Sequence, residues 1–203
     1  MRLFPRPVNA DPLPDVLTVE CGVTDLARLI AAAQGGDRLA FGELYAQYAR
    51  TVHGIVLSRV RRADVDDLVQ DVFVTAMQRL GTLRDPASFG GWLAAIARNR
   101  ATDCLRRAPQ TTELTDDLLS HAISSRGFSV RDVSAPDRME AMAVLAAIRA
   151  LPDAYRETLV LRLVEGMTGP EIAARTGLTA ASVRVNLHRG MKQLRERLRG
   201  SYA

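Results

Sequence analysis

The residues whose types and spacing most clearly suit a chemical task lie near the C-terminus. Arg184, Asn186, His188, Arg189 and Lys192 are followed by Arg195, Arg197 and Arg199, with Glu196 as the single acid among them. A guanidinium fork can bridge O6 and N7 of guanine, an asparagine amide can bridge adenine, and the distal basic residues can hold phosphates. A solvated basic helix would have the same composition, so the segment before it has to decide. In Thr168-Gly169-Pro170-Glu171-Ile172-Ala173-Ala174-Arg175-Thr176-Gly177-Leu178-Thr179, Thr168 and Glu171 have capping-box spacing, and Pro170 sits in the first turn, where its missing N–H costs nothing. Gly177 stands where a sharp turn needs a left-handed backbone, and Thr179 or Ser182 can cap the helix that follows. Ile172, Ala173, Leu178, Val183 and Leu187 provide an apolar seam between the two helices. The pattern predicts a helix-turn-helix that presents its basic face to a DNA major groove.

A second set is acidic. Val65, Leu68, Val69, Val72, Ala76 and Leu80 follow a helical period and face a core, leaving Asp64, Asp67, Gln70 and Asp71 on an outer side. Taken alone this is a solvated acidic face. A metal site fits less well, because no loop or histidine completes a coordination set. A third set, Arg98, Asn99, Arg100, Arg106 and Arg107, follows on one helix and suits a phosphate backbone. Phe89, Trp92, Leu93 and Ile96 precede it at helical spacing and read as core rather than as a stacking platform.

The elements that must position these sets are helical throughout, which predicts an all-α chain of two small helical domains joined by a flexible linker. Residues 1–23 hold Pro5, Pro7, Pro12 and Pro14 and read as a flexible N-terminal extension without a fold. Residues 24–107 form the first domain, 108–137 a polar linker, and 138–203 the second domain. The 203 residues are 47% hydrophobic and 25% charged, as in ordinary globular proteins. Net charge is only +4, but nearly all of the 27 basic residues are arginine, the side chain best suited to phosphates and base edges. Cys21 and Cys104 lie far apart without histidine neighbours, giving neither a zinc constellation nor a disulfide framework. With no long apolar run and no secretory leader pattern, a cytoplasmic protein without membrane insertion is expected. No nucleophile–base set or glycine-rich phosphate loop marks an enzyme, and no cofactor or metal is expected.

Three further segments carry a family resemblance: Gly36-Asp37-Arg38-Leu39-Ala40-Phe41-Gly42-Glu43-Leu44-Tyr45, Asp64-Val65-Asp66-Asp67-Leu68-Val69-Gln70-Asp71-Val72-Phe73, and Phe89-Gly90-Gly91-Trp92-Leu93-Ala94-Ala95-Ile96-Ala97-Arg98-Asn99. In this order they resemble region 2 of extracytoplasmic-function sigma factors of the sigma-70 family. Leu151-Pro152-Asp153-Ala154-Tyr155-Arg156, Glu171-Ile172-Ala173 and Ser182-Val183-Arg184 resemble region 4. The resemblance implies a non-enzymatic subunit that directs core RNA polymerase to promoter DNA. Asp64, Asp67, Gln70 and Asp71 would then dock on the clamp of the polymerase beta-prime subunit, with region 4 meeting the beta flap. Leu83 to Phe89 would take a flipped base of the downstream element, Arg98, Asn99, Arg100, Arg106 and Arg107 would hold that DNA, and Arg184, Asn186, His188, Arg189 and Lys192 would read the upstream element. An anti-sigma factor is a further partner that the resemblance allows. Val185 departs from the family, which often carries serine there, and the Arg61-Arg62-Ala63 approach to the acidic helix is short. Without the resemblance, an autonomous helix-turn-helix regulator would be the rival reading.

Overall fold

The computed structural model describes the backbone of residues 16–107 and 135–201; most of the expected linker and the first 15 residues of the extension lie outside the described residues. Within them the chain forms eight α-helices, with short 3-10 turns and no strand. They are α1 (Val16–Gln34), α2 (Arg38–Leu57), α3 (Val65–Arg79), α4 (Phe89–Arg107), α5 (Ala135–Arg149), α6 (Asp153–Leu163), α7 (Gly169–Thr176) and α8 (Ala180–Ser201). The expected unfolded extension is corrected in its last part, since α1 starts at Val16 rather than near Thr24. The prolines stop at Pro14, and beyond that point nothing in the backbone forbids a helix.

α2 organises the first unit, packing against α1, α3 and α4. Asp37 caps it, accepting from the N–H groups of Leu39 at 2.8 Å and Ala40 at 3.2 Å. Leu44, Val52, Ile55, Val56 and Leu57 are fully buried along its inner side. Phe73 of α3 sits against Tyr45 and Phe41, and Phe89 of α4 meets Tyr48 edge-on at 4.9 Å. Trp92 is half-buried beside Phe89, while Leu93 and Ile96 are buried, so this stretch is core as its periodicity predicts.

In the second unit, α6 lies between α8 and the first unit. Its residues Glu157–Leu161 are buried without interruption, as expected of a helix covered on several sides. Ile148 and Leu151 at the end of α5, Ile172 of α7, and Val183 and Leu194 of α8 complete its core. That core is continuous with the first one. α6 and α7 rest on α2, and α7 rests on the first turn of α4. The sequence reading of two units joined by a tether did not anticipate that they would pack on each other.

Candidate nucleic-acid interface

The helix-turn-helix is built from local rules. Thr168 caps α7 by accepting from the Glu171 N–H, and the Glu171 carboxylate accepts from the Thr168 N–H at 2.7 Å and from its hydroxyl at 2.8 Å. These two hydrogen bonds are the main reason the Glu171 carboxyl lies below the usual glutamate range. Gly177 ends the helix with φ +74°, the left-handed conformation glycine adopts without penalty. Of the two possible caps for α8, Thr179 is the one used: its hydroxyl accepts from the Ser182 N–H at 3.1 Å. Ile172 and Val183 are buried in the seam, and Ala173, Leu178 and Leu187 pack against it.

This arrangement turns the expected reading residues outward. Arg184, His188, Arg189 and Lys192 are exposed on α8, Asn186 is half-buried, and Arg195, Arg197 and Arg199 continue as exposed basic residues toward the C-terminus. Val185 stands 41% exposed among them. A helix whose first turn is fixed by a cap and whose opposite side is buried holds a rigid polar edge, which is what groove reading requires.

The acidic set is also brought together. Asp67, Gln70 and Asp71 are exposed on α3, and Val65, Val69, Val72, Ala76 and Leu80 are buried behind them, with Leu68 partly so. Asp64 ends the 3-10 turn Arg62–Asp64 that leads into α3, and pairs with Arg61 at 3.0 Å. The loop from Leu83 to Phe89 is fastened at both ends. Gln34 of α1 donates to the carbonyls of Leu80 and Leu83, and Asp85 accepts from Ala87 N–H at 3.0 Å and Ser88 hydroxyl at 2.6 Å. The Ser88 hydrogen bond, followed by that from Ala87, holds the Asp85 carboxyl below its ordinary range.

The third set does not share one face. A helix advances about 100° per residue, so Arg98, Asn99 and Arg100 point in three directions. Asn99, Arg106 and Arg107 are exposed. Arg100 turns toward α3, donating to the Thr75 hydroxyl at 2.6 Å. With Arg107, Asp103 and Cys104 it lines a cavity of about 260 Å³ whose other wall includes Asp64 and Asp71. The expected DNA side of α4 and the expected protein-docking side of α3 therefore meet at one cleft.

Arg98 departs furthest from expectation. It makes a two-point pair with Glu157 of α6, Nη2 to Oε1 at 2.8 Å and Nε to Oε2 at 3.1 Å, and it also reaches the Thr176 carbonyl at 3.3 Å. Arg59 of the first unit joins the same carboxylate at 3.1 Å and Asp153 at 2.8 Å. The Glu157 side chain is only 5% exposed and both of its oxygens are held by these two arginines. Removing one partner from such a buried pair typically costs about 3–5 kcal/mol. Sequence reading missed Arg59, Glu157 and the neighbouring Glu165 altogether. The available signal was two acids on either side of an apolar run in α6.

Comparison with known proteins bears directly on this geometry. The family model Sigma-70 region 2 matches residues 44–110, and Sigma-70, region 4 matches residues 141–194. CarQ of Myxococcus xanthus, an RNA polymerase sigma factor, is 33% identical over 168 residues, covering 80% of this chain and 91% of CarQ. The chain belongs to the extracytoplasmic-function sigma factors of the sigma-70 family. BldN of Streptomyces coelicolor, an ECF RNA polymerase sigma factor, is 30% identical over 171 residues; the alignment covers 83% of this chain but 64% of BldN, less than two thirds of its length. The solved structure of CnrH in complex with the cytosolic domain of CnrY superposes with a TM-score of 0.59 at 28% identity, over 87% of this chain and 98% of CnrH. The region 2 match begins inside α2 and ends just past α4, and the region 4 match runs from α5 into α8. Among the described residues, no helix is long and apolar enough to cross a membrane.

Proposed function

We propose that this chain acts as a sigma subunit, binding core RNA polymerase and directing it to a restricted set of promoters. The observation that carries the reading is a capped helix-turn-helix with an outward basic edge on α8, joined in one sigma-family chain to an outward acidic side on α3. On this reading Asp64, Asp67, Gln70 and Asp71 face the beta-prime clamp, where charge complementarity gives orientation and fast encounter. Region 4 engages the beta flap and places Arg184, Asn186, His188, Arg189 and Lys192 on the upstream element. Region 2 takes the downstream element. The loop at Leu83 to Phe89 receives an extruded base, whose lost stacking of a few kcal/mol is offset by pocket contacts and by capture of the single strand. Asn99, Arg106 and Arg107 meet the backbone, joined by Arg98 and Arg100 once their present partners release them. An anti-sigma protein is a partner consistent with this role, as is residence in the cytoplasm and the absence of catalysis.

Reversing Asp67 and Asp71 together to arginine tests the polymerase-docking part. Affinity for purified core polymerase is expected to fall at least tenfold, equivalent to about 1.4 kcal/mol, with the helical circular dichroism unchanged. Unchanged affinity would remove α3 as the docking element.

A further inference from the structure

Between α3 and α4 the chain makes two short turns, Leu80–Thr82 and Pro86–Ser88. The first closes on itself, the Leu83 N–H donating to the Leu80 carbonyl at 3.0 Å and the Thr82 hydroxyl to the Arg79 carbonyl at 2.7 Å. The second closes on Asp85, whose carboxylate takes Ala87 and Ser88 and whose carbonyl accepts from the Ser88 N–H at 3.0 Å. All of these bonds are local, so they shape each turn without fixing where it stands. Gln34 supplies that fixation. Its Nε2 donates to the Leu80 carbonyl at 3.0 Å and to the Leu83 carbonyl at 2.9 Å, across 46 and 49 positions of chain. An amide nitrogen carries two hydrogens, and both are used here. The platform is itself rigid. Gln34 is the last residue of α1, and the helix end is held by the Gly36 N–H on the Ala33 carbonyl and the Asp37 N–H on the Ala32 carbonyl, with Gly36 at φ +94°. Ile30, one turn back, is fully buried, and α1 lies against both short turns.

We infer that Gln34 is a positioning residue for strand opening: it ties the loop from Leu80 to Leu83 to the end of α1, so that the base-receiving loop is in its working shape before DNA arrives. The inference rests on the proposed role of the Leu83 to Phe89 loop in taking an extruded base. A loop held in shape beforehand loses little freedom at the moment of capture, which leaves more of its contact energy to offset the lost stacking. A loop that must be ordered at that moment captures fewer of the bases that leave the stack. Docking on polymerase and reading of duplex DNA precede this step and use other residues. Gln34 therefore acts on opening and not on initial binding. It also lies outside the region 2 match, which starts at residue 44.

The test compares the full wild-type chain with Gln34→Met and Gln34→Glu. Methionine keeps the length and helix preference of glutamine but has no donor, and glutamate keeps the shape but turns charged oxygens toward two carbonyls. Hydrogen–deuterium exchange of the free chain reads the loop, with circular dichroism and core-polymerase affinity as controls. Initiation is read with core polymerase on the first candidate promoter that gives a chain-dependent transcript, separating the initial binding constant from the opening rate followed by 2-aminopurine in the melted stretch. Both variants are expected to keep helix content and core affinity and to exchange faster from Leu83 to Phe89. Their opening rates should fall about three- to tenfold, Gln34→Glu the lower, as loss of one or two net hydrogen bonds requires. Initial binding should stay within about twofold, and the deficit should shrink to that size on the same promoter carrying a mismatched, already open stretch. Unchanged loop exchange, wild-type opening rates, or a deficit of equal size in initial binding or on the open template each overturns the role of Gln34. A wild-type chain that supports no transcript withdraws the sigma reading and this inference with it, whereas normal wild-type initiation matched by both variants withdraws Gln34 alone.

Discussion

At the scale of single residues, the exposed basic edge of α8 is the part most legible in the sequence. Arg184, His188, Arg189 and Lys192 are exposed because the apolar positions Val183 and Leu194, together with Gly190, fix the opposite side, and that period can be counted without a structure. Charged residues that pair at long range could not be read this way. Arg98 and Glu157 are 59 positions apart, and nothing local distinguishes an arginine that will meet a carboxylate from one that will meet a phosphate. Val185 carries its own consequence. Exposed apolar groups on a recognition helix contact the C5 methyl of thymine, which hydroxyl side chains do with less selectivity. On a promoter bound by this chain with core polymerase, replacing the thymines of the upstream element one at a time with deoxyuridine should weaken binding severalfold at one position. The same replacement should have little effect on a Val185→Ser variant. Equal binding of all the deoxyuridine duplexes by the wild-type chain would show that Val185 makes no such contact.

At the scale of elements, capping and turn chemistry were readable because they depend on neighbours in sequence. Thr168, Glu171 and Gly177 take the roles their spacing predicts, and the structure only had to choose Thr179 over Ser182 at the start of α8. The start of α1 was misplaced for a physical reason: proline density marks where a helix cannot run, and it says little about the nine residues between Pro14 and Thr24. The four arginines and the asparagine of α4 were assigned as a group, yet a helix distributes adjacent residues around its axis, so they divide among solvent, the α3 cleft and α6. The α7 cap has a pH signature. Because the Glu171 carboxyl is lowered in the fold, its contribution is fully present above the ordinary glutamate value and is lost as pH falls through the lowered one. Thr168→Ala is expected to cost about 1 kcal/mol at neutral pH in urea unfolding. The stability difference between wild type and Glu171→Ala should shrink as the pH is taken below the glutamate range. A difference that stays constant down to strongly acid pH would mean that the charge of Glu171 contributes nothing to the cap.

At the scale of the whole molecule, two helical units of a sigma-family chain are folded into one body with a shared core. The composition and the helical periodicity were enough to anticipate an all-α chain of two helical units, and the motif resemblance added regions 2 and 4. They were not enough to anticipate that α6 would be buried from both sides, because an apolar run flanked by acids fits equally well inside one small domain. The packing changes the meaning of the molecule more than its architecture. The residues that define each unit are in place before any partner arrives, while one of the proposed DNA contacts is held internally. The central claim is that core polymerase with this chain starts transcription where core alone does not. Run-off transcription with purified core polymerase, with and without the chain, on DNA from upstream of its own gene and several other candidate promoters tests it most directly. The account predicts a discrete transcript that requires the chain and falls about 10- to 100-fold with Arg184→Ala, the loss expected of one bidentate base contact. Specific duplex binding without core polymerase, together with no transcript from any of these templates, would contradict it and leave an autonomous regulator in its place.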